Sequence, residues 1–471
     1  MRRNLALMAV AMGAAGAALW APDAQACGGC FGPPTPPGQD VEVVTDHRMI
    51  LSVSPQQTTL YDEIQYSGSP ASFAWVLPIN GQVTVGLSSD SLFKTLDTLT
   101  QTTVESPPTD CPGLPSSCQS ESPGGEFGGA GSASDAGTAA VPVTVLSTAV
   151  VGPYETAQLQ STDPTALEDW LTSHGYDIPA DIEPVIAAYV AQSFDFLAMK
   201  LVPGAGVQSM RPVRVTTQGA TIALPLRMVA AGTGATVGIT LWMLGDGRYE
   251  PSNFSYFHID DADITWDWTT QSSNYTTLRQ QHETALNGAG WEIESSTEQS
   301  QQQITGYLTS LEQSFSFAPD GGSDYAPETA ADGGISGSAS QAQADDLSTL
   351  FSGIGVSGGQ VRITRIRSDL AHTALGSDLQ LTASADQSVL PNVRQPGLQS
   401  GEPECPVYDS QCNYIGQEPR DQAIASMAGL STAGGGGCAT ASDRAESGST
   451  WLTVAALAGL VFAGARRRRR A

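Results

Sequence analysis

"TVGITLWMLG", residues 236–245, is a short apolar run rich in β-branched and aromatic side chains, and it stops at the tight turn "GDG" (245–247) before "RYEPSNF" (248–254). A run of this length and composition, bounded by Gly and Asp, reads as a strand. Three more strand-like stretches lie on its N-terminal side: "FDFLAMKLV" (194–202), "RPVRVTT" (211–217) and "ATIALPLRMVA" (220–230). In the last, Ile222, Leu224, Leu226 and Met228 alternate strictly, which predicts a strand with one buried face. Strands therefore dominate the reading of the fold.

Further out, "VEVVTDHRMILSVSPQQTTLYDEIQYSG" (41–68) reads as successive strands, "SFAWVLPIN" (72–80) as a buried strand and "VRITRIRSDL" (361–370) as a late one. "SSDSLFKTLDTLT" (88–100) places Leu92, Phe93, Leu96 and Leu99 on one helical face. Asp163 at the cap, Pro164 at the first helical position and Gly175 beyond the end predict a helix with Leu167, Trp170 and Leu171 inward. A second follows, with Ile182, Val185, Ile186, Tyr189 and Val190 on one face. Pro-, Gly- and Ser-rich stretches near 105–140 and 317–343 lack periodicity and predict disordered insertions. The expected class is α+β: β-rich, mainly antiparallel sheets with a small helical pair. The expected organisation is a signal peptide (1–26), an exported domain (27–395), a stalk (396–437) and a terminal sorting signal (438–471).

The ends carry the targeting information. Arg2 and Arg3, the apolar stretch from Leu5 to Leu19 and "AQA" (24–26) form a secretory signal with cleavage after Ala26 by signal peptidase. Cleavage leaves Cys27 first, where a lipid anchor would attach. A lipobox carries a bulky aliphatic residue where this chain has Ala24, so simple cleavage is expected. At the other end, Gly437-Cys438 precedes the apolar run 451–465 and five arginines, Arg466 to Arg470. Fifteen apolar residues fall short of the roughly 20 of a spanning helix, yet they suffice to hold a precursor during export. The arginines would stay cytoplasmic.

This tail resembles the C-terminal sorting signals of myxobacterial surface proteins (MYXO-CTERM), which combine a Gly-Cys motif, a short hydrophobic helix and an arginine cluster. The resemblance implies processing near Cys438 by a membrane-embedded sorting protease and display at the cell surface or outer membrane of a Gram-negative bacterium.

Charge and cysteine point the same way. The chain carries 21 Lys+Arg against 48 Asp+Glu, a net charge of −27. Processing at both ends would remove eight of the bases and three of the acids, leaving it more acidic. Such a surface repels nucleic acid and anionic membrane. Six of seven cysteines fall into close pairs: Cys27/Cys30, Cys111/Cys118 and Cys405/Cys412. "CPGLPSSC" (111–118) and "CPVYDSQC" (405–412) share one spacing in Pro- and Ser-containing loops, so local disulfides are expected in an oxidising compartment. "CGGC" (27–30) has a signal before it and prolines after it, not the strand and helix of a thioredoxin motif.

Catalytic motifs fail on spacing. "HETAL" (282–286) has Leu286 where a zinc protease needs its second histidine, leaving His282 and Glu283 on a solvated helix face. "GVSGG" (355–359) fits G-x-S-x-G around Ser357, but a helix-like stretch precedes it and a strand follows, the reverse of a nucleophile elbow. "GTGATVG" (232–238) misplaces the third glycine of a dinucleotide fingerprint. Asp260, Asp261, Asp263 and Asp267 make an oxygen-rich loop suited to Ca²⁺, but without EF-hand order or its glycine; a solvated acidic turn is expected and no cofactor is assigned. Trp266, Trp268 and Tyr275 lie beside it, aromatics that could stack on sugar rings or fill a core. Arg365 and Arg367 share one face of a regular strand and are candidate anion-binding residues, set against ion pairing with internal acids such as Asp369 and Asp378.

"CGGCF" (27–31), "FAWVLPI" (73–79), "VVGPYE" (150–155), "ALEDWLTSHGYDIP" (166–179), "YVAQSFDFLAMKL" (189–201), "RPVRVT" (211–216) with "LPLRM" (224–228), and "ITRIRSDL" (363–370) with "SDLQL" (377–381) run in one order along the chain. Together they resemble the bacterial family known as domain of unknown function 2330. The resemblance implies a secreted or surface protein and carries over no catalytic residue. The expected function is that of a cell-surface or outer-envelope protein without enzymatic activity, acting through binding or as an envelope component, with its envelope partner unassigned. The alternative is a surface hydrolase with an unrecognised site.

Overall fold

A computed structural model describes residues 43–67, 74–113, 144–176, 178, 180, 182–203, 205, 210–230, 233–315, 339–351 and 359–431. They divide into two compact units. The larger draws on Met1–Asp110 and Glu121–Glu404, the smaller on Cys111–Ser120 and Cys405–Ala471. The signal sequence, Cys27, Cys30, Cys118, Ser357, the Gly437-Cys438 motif and the arginine tail lie outside the described residues.

The larger unit begins with strands β1 (Val43–Val53), β2 (Gln57–Ser67), β3 (Ala74–Ile79) and β4 (Val83–Leu87), helix α1 (Asp90–Thr100) and the two-residue β5 (Thr103–Val104). Strands β6 (Thr144–Val151) and β7 (Tyr154–Gln160) form a hairpin through Gly152, whose φ of 55° suits glycine. Helices α2 (Pro164–Ser173) and α3 (Glu183–Ala191) lead to β8 (Asp195–Leu201), β9 (Val213–Gln218), β10 (Ala223–Leu224), the short α4 (Leu226–Val229) and β11 (Thr233–Gly245). Short strands β12 (Tyr249–Pro251), β13 (Tyr256–Phe257), β14 (Thr265–Asp267) and β15 (Ser272–Ser273) precede α5 (Tyr275–Ala285), β16 (Trp291–Ser300), α6 (Gln301–Phe315) and α7 (Ala339–Leu350). Strands β17 (Gln360–Ala371), β18 (Leu379–Ala383), β19 (Val393–Arg394) and β20 (Leu398–Ser400) finish the unit.

The main sheet has eight strands in the order β13-β16-β17-β11-β1-β2-β9-β4. Neighbouring strands pair antiparallel except at two places: β11, the "TVGITLWMLG" strand, lies parallel to β1 and antiparallel to β17, and β13 lies parallel to β16. Both faces are covered. On one, Ile50, Tyr61, Trp242, Leu244 and Ile363 meet α1, α6 and α7 through Leu92, Phe93, Leu96, Ile304, Leu308 and Leu350. On the other, Val83, Val213 and Val215 meet Trp75, Leu77, Leu197 and Met199 of a second sheet, ordered β3-β8-β7-β6. That sheet's far face takes α2 and α3 through Leu167, Leu171, Ile186 and Tyr189. The larger unit is thus layered helix, sheet, sheet, helix.

The expected small helical pair is corrected by eight helices among the described residues. The pair itself is present as α2 and α3. Asp163 accepts from the backbone N–H of Thr165 at 3.0 Å, Pro164 opens α2 and Gly175 follows it at φ 87°. The strand expected over 220–230 is also corrected: it stops at Leu224, because Pro225 lacks the N–H a ladder needs, and Leu226–Val229 turns helical. Leu224, Leu226 and Met228 are still buried, so their alternation recorded burial without a strand. Residues 339–343 of the expected disordered stretch belong to α7.

The smaller unit occupies much of the expected stalk. Its hairpin, β21 (Glu404–Tyr408) and β22 (Tyr414–Pro419), is followed by α8 (Arg420–Ser431). Cys405, Val407, Ala423 and Met427 form its core, with Cys111 packed against them. Cys111 is bonded to Cys405, across 294 residues of sequence. This overturns both expected local bridges, Cys111–Cys118 and Cys405–Cys412; Cys412 is itself disulfide-bonded. Equal loop spacing carried no information about which cysteines meet in space.

Candidate functional site

The hairpin β1–β2 sets Arg48 directly opposite Glu63. Both point to the helix-covered face of the main sheet, where α1 supplies Asp97. The Arg48 guanidinium donates to Glu63 at 2.7 Å, to the Phe93 carbonyl at 3.4 Å, and to Asp97. Arg365 of β17 donates to the other Asp97 oxygen and to Glu294 of β16. The indole of Trp242 packs against both guanidiniums, 5.4 Å from Arg48 and 5.1 Å from Arg365, within cation–π distance of each. One α1 carboxylate thus joins two arginines that rise from different strands.

Burial sets the electrostatics. It pushes the Glu63 carboxyl up to about 7, against Arg48 and with help from Asp90. Burial opposes charge on Arg365, and Glu294 and Asp97 more than offset it, so its pKa lies above the ordinary guanidinium value. Nearby, burial and then Glu294 bring fully buried Glu292 up to about 7, while the Tyr275 hydroxyl donates to it. A second cluster fixes α7. Asp346, fully buried, accepts from Ser88 Oγ, Ser89 N, Ser89 Oγ and Arg214 at 2.8–3.2 Å, and burial brings it up to about 7 against those donors.

On the opposite face His47 Nδ1 lies 3.3 Å from Asp62, and both side chains are buried. His47 Nε2 is buried without a hydrogen-bond partner among the described residues. His47 and Asp62 line an apolar cavity of about 20 Å³ with Met49, Trp75, Leu226 and Met228. That is room for about one water molecule, and its lining contains no serine, threonine or cysteine.

The residues expected to carry chemistry are placed differently. Arg365 is a buried ion-pair partner and not a surface anion receptor, and Arg367 lies 3.8 Å from Asp369. Asp378 holds Arg227, which stacks over Tyr189 at 4.1 Å. The four aspartates do not converge: Asp260 faces His258 at 3.4 Å, Asp261 accepts from Gln395 N, and Asp267 accepts from Thr269 N. No group of three or more His, Cys, Asp or Glu side chains placed to hold a metal occurs among the described residues. His282 stacks on Phe257 at 4.7 Å, and Glu283 pairs with Arg279 at 3.5 Å. Tyr275 is buried against Glu292, whereas Trp266 and Trp268 are half-exposed.

Arg48, Glu63, Asp97, Glu294 and Asp346 were not singled out by the sequence. The available signal was a charged residue inside each of two successive apolar strands, "DHRMILSV" and "LYDEIQY", whose hairpin register brings the charges face to face.

No curated protein matches the chain. Two crystal structures of a mutated baculovirus P35 after caspase cleavage are similar in part. One shows 12% identity and a TM-score of 0.24, covering 44% of this chain and 69% of that one; the other shows 9% and 0.23, covering 44% and 66%. Likeness at that level says nothing about activity. The model of a family described as an uncharacterized protein conserved in bacteria, DUF2330, matches residues 21–326, well over half of the chain, and the protein belongs to that family.

Proposed function

We propose that this protein is an exported component of the outer envelope or cell surface that acts by binding and not by catalysis. The observation that carries the reading is the Cys111–Cys405 disulfide in the core of the smaller unit. Disulfides of this kind persist in oxidising compartments and are rare in a reducing cytosol. The signal sequence ending at Ala26 and the tail with Gly437-Cys438, an apolar run and Arg466–Arg470 agree with it. The finer reading is that the tail acts as a myxobacterial-type sorting signal, cut near Cys438 by a sorting protease after signal peptidase has released Cys27. The inward pairing of Arg48, Arg365, Glu63 and Glu294 supports a scaffold role for those charges.

The test is fractionation of the native cell with mass spectrometry of the recovered protein. Recovery in the envelope or surface fraction without peptides from 1–26 and 439–471 is expected. A cytosolic protein that retains both ends would refute export, and a surface protein that retains the arginine tail would leave a tail anchor in place of sorting.

The second reading, a surface hydrolase, draws on one feature: the buried His47–Asp62 pair leaves Nε2 unpartnered at a cavity, as a general base would. A screen with ester, peptide and glycoside substrates, repeated with His47→Gln, separates the two. Turnover abolished by the substitution would favour the hydrolase.

A further inference from the structure

The segment "ITWDWTTQSSN" (264–274) sets two tryptophans two residues apart. On an extended backbone such residues share one face. Strand β14 pairs antiparallel with β15 at Trp266↔Ser273 and parallel with β20 at Trp266↔Gln399. The backbone N–H of Trp268 donates to the Ser400 carbonyl at 3.0 Å, so the ladder runs one residue past β14. Trp266, Trp268 and Gln399 therefore stand together on one side of a small three-stranded sheet.

The two indoles meet edge to face, with centroids 6.1 Å apart and planes at 73°. Both are half-exposed. Such a corner gives a flat floor and an upright wall. Trp268 Nε1 donates to Gln399 Oε1 at 2.9 Å, which orients the exposed amide and leaves its NH₂ as a donor beside the rings. At the rim, Thr269 N donates to the Asp267 carboxylate at 2.8 Å, and the Thr270 and Ser272 hydroxyls lie 2.8 Å apart. These backbone and hydroxyl bonds fix the polar groups before any ligand arrives.

We propose that the Trp266–Trp268–Gln399 face is a platform for a neutral pyranose ring of a glycan, an assignment that names the ligand class for the binding reading above and rests on it. The apolar C–H face of a pyranose stacks on an aromatic face, whose quadrupole is negative. The ring hydroxyls then take hydrogen bonds from the Gln399 NH₂ and exchange them with the threonine and serine hydroxyls at the rim. A few oriented polar groups around an aromatic floor are how such sites combine affinity with selectivity. Asp260, Asp261 and Asp263 lie just before the two tryptophans in the sequence and the chain as a whole carries a net charge of −27, so uronic acids, sialic acids and phosphorylated sugars are disfavoured and neutral rings are favoured.

The purified full chain, with its disulfides intact, is applied to an array of neutral glucose, galactose and N-acetylglucosamine trisaccharides. The best hit is then titrated by tryptophan fluorescence. Saturable binding is expected. Trp268→Ala weakens it up to about tenfold, Gln399→Ala by a smaller factor, and Trp268→Phe keeps part of it. Melting curves establish that each variant is folded; if Trp268→Ala is not, Gln399→Ala, at an exposed position, decides. Absence of binding to every array member overturns the proposal, as does unchanged affinity in the folded variants. Because binding is read on purified protein, its failure leaves the export reading standing, and failure of export leaves the binding result standing.

Discussion

Arg365 shows how a residue's role depends on what surrounds it. From its strand spacing it is a candidate for anion binding, yet it lies buried between Glu294 and Asp97 with the Trp242 ring beneath it. Removing one member of a buried ion network leaves its partners charged and unpaired, which costs about 3–5 kcal/mol. Arg365→Ala is therefore expected to lower unfolding stability by about that amount in urea titration; a change near zero would mean that the cluster is effectively solvated. The pH dependence follows from the buried acids. Glu63, Glu292 and Asp346 are raised to about 7 from ordinary values of 4.5, 4.5 and 3.8. A carboxyl whose pKa is raised by folding holds its proton more tightly in the folded state. Its stabilising contribution is complete below the ordinary value and is lost as pH rises through about 7. Melting temperature is expected to fall from pH 5 to pH 8, with a shallower fall in Glu63→Gln. A rise across that window would contradict the assignment of these groups as neutral acids at pH 5. None of this was legible in the sequence, since it depends on which strands become neighbours.

At the scale of the element, legibility followed locality. Helix α2 could be read because its signals are adjacent in sequence: a capping Asp163, Pro164 at the start and Gly175 at the end. Strand β17 could be read at 361–370 from its β-branched composition and not from alternation of burial, because Val361 through Ile366 are all buried, covered on both faces. The parallel pairing of β1 with β11 joins segments almost 200 residues apart, beyond the reach of any local pattern. Helix α7 begins inside the stretch expected to be disordered, at Ala339–Gln343, and continues through the helix-like stretch before Gly355; tertiary contacts hold it: Leu350 packs into the core, and Asp346 grips Ser88, Ser89 and Arg214. Asp346→Ala would remove an acceptor from all of these donors and cost about 3 kcal/mol. Hydrogen exchange should then quicken in Ala339–Leu350 and at the start of α1 before the main sheet is affected. Exchange that quickens uniformly, or not at all, would show that Asp346 is not what holds α7.

For the whole molecule, the sequence reached the family and the dominance of strands but not the cysteine pairing, which depends on where the folded chain brings distant loops. The smaller unit has a core of only a few side chains, too little apolar surface to hold a hairpin and a helix unaided. Cys405→Ser should therefore cost about 2–5 kcal/mol there and expose 404–431 to exchange while the larger unit keeps its transition. The same bond bears on where the protein works. The most direct measurement is peptide mapping, without reduction, of protein recovered from fractionated native cells. The account predicts a Cys111–Cys405 cross-linked peptide in the envelope fraction, from a chain that starts after Ala26. Cys111 and Cys405 recovered as free thiols, on a chain that retains its N-terminal 26 residues in the cytosolic fraction, would contradict it.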